Sequence, residues 1–265
     1  MVIRMLQYKV EEINTGLYLI KDPLDVNMYL IIGNKRALLF DTGYGVGSIP
    51  EAIKSITSKP LTVVLGHGHI DHANGAYQFD EVYLHEDDYE LFADNTSPET
   101  RSMILNNLKE ENLEIGCDEK QWCDELPCEL LPIITGQIFD LGGLSIEVVD
   151  MAGHTGGSIG LLIKEMRILL DSDSANEHCW MFLEQSLPVR EYISMLKRVK
   201  ELDFDTFYTA HSDIPHPKSD FDKYIRVAEN ATIEKSEPYD TRWHMNPYIY
   251  TEDSVSIVIS ERTLQ

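Results

Sequence analysis

Apolar and polar positions along this chain fall into short blocks separated by turn residues. Gly16 to Ile20, Asn27 to Ile32 and Ala37 to Phe40 each read as a strand, with the turn signal Gly33-Asn34-Lys35 between the second and third. Their close spacing predicts an antiparallel meander. Ser48 to Ile56 reads as a helix, with Ser48 as N-cap and Pro50 in its first turn. Leu61 to Leu65 is a buried strand, Glu81 to Leu84 another, and Glu86 to Ala93 a short helix. Strands resume over Gln137 to Asp140, Leu144 to Val149, Ser158 to Ile163 and Arg167 to Leu170. Val189 to Glu201 is an amphipathic helix, Thr206 to Thr209 a strand, Ser219 to Lys235 the last helix and Val255 to Ile259 a final strand. This order predicts an α+β fold of two packed sheets flanked by helices. A doubly wound parallel fold does not fit, because the βαβ rhythm is absent from the first and middle thirds.

Residues 94–135 break the pattern. The stretch is acidic, holds three of the four cysteines, and has helical periodicity only around Ser102 to Glu111. It reads as an inserted subdomain or lid within a single domain spanning 1–265. The spacing of Cys117, Cys123 and Cys128 is not the Cys-x-x-Cys pairing of a structural zinc site, so these and Cys179 read as free thiols. With 22 basic and 45 acidic residues, the formal net charge of −23 argues against nucleic acid and anionic membranes as partners. A small-molecule substrate is the remaining partner class, and oligomeric state stays open. The first residues lack the regions of a signal peptide, and no apolar run is long enough to cross a bilayer, which makes the cytoplasm the expected location.

Candidate chemistry concentrates in His67-Gly68-His69-Ile70-Asp71-His72, directly after the strand Leu61 to Leu65. Residues two apart in an extended segment point the same way, so His67 and His69 can reach one ion. Asp71 and His72, where the chain turns towards a helix, can face a second. Imidazole and carboxylate donors in this mixture suit zinc, iron or manganese. His85, His178 and His216 read as surface or loop residues, and His244 as a packing residue beside Tyr239, Tyr248 and Tyr250.

The segment resembles the His-x-His-x-Asp-His signature of the metallo-β-lactamase superfamily, and the resemblance runs along most of the chain. Leu39 to Gly43 is similar to the family's first motif, Gly153 to Ser158 to the third, Leu169 to Asp173 to the fourth and Ala210-His211-Ser212 to the fifth. The resemblance implies a four-layer αββα sandwich and two divalent ions, zinc foremost, with iron or manganese as alternatives. It implies that His67, His69 and His154 hold one ion, that Asp71, His72 and His211 hold the other, and that Asp173 bridges them. Asp41 would orient a ligand histidine. Two departures stand out: Ser172 and Ala210 occupy positions where the family usually has glycine. The first leaves Asp171 as a rival to Asp173.

Such a centre would generate a hydroxide at neutral pH, with Asp71 as the catalytic residue that accepts its proton. The expected function is hydrolysis of a small ester, lactone, thioester or phosphoester. The alternative is a metal-stabilised binding or sensor protein without turnover. His69 stands where the superfamily's diiron oxygen reductases usually carry glutamate, and the chain has no room for their flavodoxin domain. The charge argues against a nuclease, and the apparent closing strand against the helical C-terminal domain of glutathione-thioester hydrolases.

Overall fold

In the computed structural model, residues 4–5, 8–110, 113–114, 119–124, 128–241 and 245–265 are described. The chain divides into two compact units, Met1–Ile133 with Phe139–Ser145, and Ile134–Ile138 with Ile146–Gln265.

The first unit is built on a seven-stranded sheet. Its strands, in both chain and spatial order, are β1 (Lys9–Asn14), β2 (Leu17–Lys21), β3 (Asn27–Ile32), β4 (Ala37–Phe40), β5 (Leu61–Val64), β6 (Glu81–Leu84) and β7 (Glu129–Pro132). The expected meander is present: β1 to β4 pair antiparallel through short connections. From β4 onward the pairing turns parallel, which requires crossovers. The first crossover is α1 (Ile49–Lys54), capped by Ser48, whose hydroxyl accepts from the Glu51 amide. Ile20, Met28, Leu30, Leu39, Val63 and Val82 bury one face of the sheet with Ile49 and Ile53 of α1. β3 and β4 are buried along almost their whole length, so they read as continuous apolar runs instead of alternating ones.

The segment 94–135 is more integrated than an inserted lid. Its last part, β7, is the edge strand of the main sheet, and Glu81 pairs with Glu129 through to Leu84 with Pro132. Its helices α4 (Pro98–Glu110) and α5 (Glu119–Cys123) enclose a satellite core of Ile104, Leu105, Leu108 and Trp122 with Val46. Cys123 and Cys128 are free thiols. Cys117 lies outside the described residues.

The second unit holds strands β8 (Ser145–Asp150), β9 (Ile159–Ile163), β10 (Ile168–Leu170), β11 (His178–Trp180), β12 (Thr206–Tyr208), β13 (His216–Pro217), β14 (Glu237–Pro238), β15 (Tyr248–Glu252) and β16 (Val255–Ile259). One six-stranded sheet starts at the edge strand Ile138–Asp140 and runs on through β8-β9-β10-β12-β13, and a four-stranded sheet runs β11-β16-β15-β14. Two helices cover the core. α6 (Val189–Lys200) buries Val189, Tyr192, Leu196 and Val199 along one stripe, and α7 (Phe221–Asn230) buries Phe221, Tyr224, Val227 and Ala228. Among the described residues, no helix is long and apolar enough to cross a membrane.

Candidate metal centre

In the first unit, the parallel pair β4–β5 delivers the donors. The register sets Phe40 beside Val64, and the ladder extends one step further, with the Asp41 amide donating to the Val64 carbonyl at 2.9 Å. Asp41 then leaves the strand with φ +66, a left-handed conformation that aspartate tolerates better than most residues. Its side chain is buried and used twice: Oδ1 accepts from the Gly66 amide at 2.6 Å, and Oδ2 lies 3.1 Å from His72 Nδ1. The second contact makes Nδ1 the protonated nitrogen, so Nε2 carries the lone pair a metal would use.

The three clustered histidines converge. His67 Nε2 lies 2.9 Å from His69 Nδ1, and the His67 and His72 rings have centroids 4.2 Å apart. His72 Nε2 lies 3.4 Å from Asp71 Oδ2. His67 and His72 are buried, while His69 and Asp71 are partly open. His69 is the N-cap of the one-turn helix α2 (Ile70–Ala73), where the backbone changes from extended to helical. That change separates the two donor pairs.

Several supports were not visible in the sequence. The Thr42 amide and hydroxyl both donate to the His72 carbonyl at 2.8 Å. Buried Asp88 accepts from the Gly68 amide at 2.8 Å, and Asn95 from the Ile70 amide at 3.2 Å. Asp88 precedes α3 (Tyr89–Asn95) and Asn95 closes it. Gly68 is required by this contact, since a Cβ there would meet the Asp88 carbonyl and the Phe92 amide at 2.9 Å each. The acidic run Glu86-Asp87-Asp88 was a faint signal for Asp88; nothing marked Thr42 or Asn95.

In the second unit, parallel β10 and β12 do the same work. Leu170 pairs with Tyr208, the Asp171 amide donates to the Tyr208 carbonyl at 3.0 Å, and the Ala210 amide to the Ser172 carbonyl at 2.9 Å. This register brings Asp173 beside His211, with Oδ1 and Nε2 3.2 Å apart. Asp173 Oδ2 also lies 3.8 Å from His154 Nε2. His154 Nδ1 donates to the Trp180 carbonyl at 2.7 Å, so here too Nε2 carries the lone pair a metal would use. Ser172 has φ +54, which explains why glycine is usual at this position in the resembled motif.

Asp171 and Asp173 occupy different environments. Asp171 is wholly buried, and burial, followed by the charge of Asp173, holds its carboxyl well above the usual carboxylate range. Asp173 is the one beside the histidines.

Of the remaining histidines, His85 caps the turn Glu86–Asp88 and His178 is exposed. His216, read as a surface residue, is buried and stacks on Phe207 with centroids 5.2 Å apart. Its strand β13 pairs with β12, and that pairing turns the ring onto the core. His244 lies outside the described residues.

A second carboxyl of the first unit is perturbed. Asp22, buried just beyond β2, is pushed from 3.8 up to about 7, chiefly by burial and further by the charge of Asp71; the Leu24 and Tyr44 amides pull the other way. Folded Asp22 therefore keeps a proton that the unfolded chain has lost, and stability falls as pH rises from 3.8 towards about 7. Asp22→Asn in the metal-free protein should flatten this slope. Urea unfolding across the window checks it, and an unchanged slope would remove Asp22 from the account.

Fold and donor sets define an α+β protein whose strand ends present histidine and aspartate to divalent metal. A family model for the metallo-beta-lactamase superfamily matches residues 22–89. A metallo-beta-lactamase from Pontibacter korlensis aligns with a TM-score of 0.61 at 16% identity, covering 85% of this chain and all of that one. Residues 22–89 thus match the superfamily's model, and the chain has the metallo-β-lactamase fold. Among curated relatives, human acyl-coenzyme A thioesterase MBLAC2 is 27% identical over 188 residues, 66% of this chain and 67% of that protein. Hydroxyacylglutathione hydrolase GloC of Haemophilus influenzae is 23% identical over 145 residues, 52% of this chain and 61% of that protein.

Proposed function

We propose that this hydrolase cleaves acyl thioesters with a pair of divalent ions. The residues that would hold them are His67, His69, Asp71 and His72 of the first unit and His154, Asp173 and His211 of the second. The observation that carries the reading is the donor chemistry: five imidazoles and two carboxylates at strand ends, with His72 and His154 each fixed in the tautomer that offers Nε2. This mixture fits zinc, with iron or manganese as alternatives. The thioester preference rests on similarity to two proteins named for that chemistry.

Bound there, the ions would bring a water towards ionisation near neutral pH and polarise the substrate carbonyl. The residues of the chain do the rest. Asp41 and the Trp180 carbonyl keep two ligand rings from rotating, so the donors are set before substrate arrives. Asp71, partly open to solvent, accepts the nucleophile's proton and returns it to the departing thiolate. The carbon–sulfur bond breaks, leaving a carboxylic acid and a thiol.

The test is a panel of an acyl-coenzyme A, a p-nitrophenyl ester, a lactone and p-nitrophenyl phosphate, with bound metal quantified. The thioester should lead in kcat/KM by roughly tenfold or more, about 1.4 kcal/mol in transition-state terms. A lead for the phosphate or lactone would remove the thioester assignment, and inertness towards the whole panel would remove turnover.

A further inference from the structure

The first unit contains a cavity of about 730 Å³ that the hydrolytic chemistry does not use. It lies between α3, the start of α4 and β7. Phe92, Pro98 and Leu130 supply apolar wall, Arg101 and Cys128 face the same space, and solvent-exposed Glu99 also lines it. That volume is in the range of small-molecule pockets.

Arg101 is the unusual member. It is only 3% exposed. Its Nε donates to the Thr96 carbonyl at 2.9 Å, Nη1 to the Trp122 carbonyl at 3.1 Å and Nη2 to the Asn74 carbonyl at 3.3 Å. The guanidinium also lies over the Tyr77 ring, 4.7 Å from its centroid. All these partners are neutral. A guanidinium has five N–H donors, so the three bonds leave further donor capacity. Burial pushes its pKa down, and the groups that oppose this are Tyr77, Cys123 and Cys128, none of them a carboxylate. Burial also pushes the Cys128 thiol up to about 11, so it is neutral at pH 7 and supplies no counter-charge. Among the described residues no carboxylate is bonded to it; a buried cation so placed is costly, and an arriving anion would recover much of that cost.

We infer that this cavity binds a small amphiphilic carboxylate, its head group on Arg101 and its hydrocarbon tail along Phe92, Pro98 and Leu130. Arginine suits a carboxylate because its fork can meet both oxygens. The surrounding charge of −23 disfavours polyanions such as nucleotides, whereas a single carboxylate with an apolar tail loses less to repulsion and gains from burial. The inference concerns the first unit alone and stands apart from the thioesterase reading.

Isothermal titration of the metal-loaded protein with octanoate and octanol tests it. Octanoate should bind at least tenfold more tightly than octanol. Ala93 is exposed and lines the cavity, so Ala93→Trp fills it without touching the core. Octanoate affinity should fall at least tenfold in that variant. Equal affinity for acid and alcohol, or no binding of either, would overturn the charge argument. Octanoate binding that survives in Ala93→Trp would place the carboxylate elsewhere, on the metal ions first of all, and overturn the site.

Discussion

His69→Ala and Asp173→Ala are each expected to lose turnover by roughly a thousandfold or more, about 4 kcal/mol in transition-state terms, and at least one ion per chain. The fold should survive both changes. His69 caps α2 without a side-chain hydrogen bond to it, so alanine removes no cap interaction. Asp173 raises the proton affinity of buried Asp171, so its removal relieves a repulsion between carboxyls. Metal-free stability should therefore hold within about 1 kcal/mol for either variant, as for most substitutions outside a core. Metal analysis, a thioester assay and urea unfolding of the chelated protein separate the two effects. Full activity in either variant would end the proposed ligand set.

Gly75→Ala should act in the opposite way, through structure first. A Cβ at Gly75 would meet the Thr42 carbonyl at 2.2 Å and Ile49 Cδ1 at 2.5 Å. The first neighbour is backbone and cannot rotate aside. The loop after β4 and the 3-10 turn Asn74–Gln78 would have to part, and Thr42 in that loop holds the His72 carbonyl through its amide and hydroxyl. A cost of about 3 kcal/mol is expected, which for a protein of this size lowers Tm by roughly 10 °C. Metal affinity should fall with it. Gly136→Ala is the control: that glycine has φ +82 but nothing within 4 Å of a new Cβ, so it reports backbone strain alone. Equal losses in the two variants would show that the close approach at Gly75 is unimportant.

What the sequence made legible depended on how local the information was. The cluster His67 to His72 could be read directly, because contiguous donors follow one apolar strand. His154, Asp173 and His211 were reached through motif resemblance, and the parallel register of β10 and β12 accounts for the meeting of the last two. The choice between Asp171 and Asp173 needed burial, which periodicity cannot supply. Thr42, Asp88, Asn95 and the Trp180 carbonyl act through contacts between backbone and distant side chains, and no spacing rule encodes those. The last helix is shorter than its apolar pattern suggested. It runs Phe221–Asn230 and stops where Ala231 turns extended. The acidic segment 94–135 hid a sheet strand because β7, Glu129-Leu130-Leu131-Pro132, is a half-exposed edge with little alternation.

The sheet order also sets a timetable for synthesis. Every strand that positions His67, His69, Asp71 and His72 lies within the first part of the chain, and β4 and β5 are near neighbours along it. Those donors can be in place while the ribosome is still making the rest. His154 is different. Its anchor, Trp180, sits on β11, whose partner in the sheet is β16, made much later. That long-range pairing is slow to close. On the proposed ligand set, a nascent chain would present His67, His69, Asp71 and His72 before it can restrain His154.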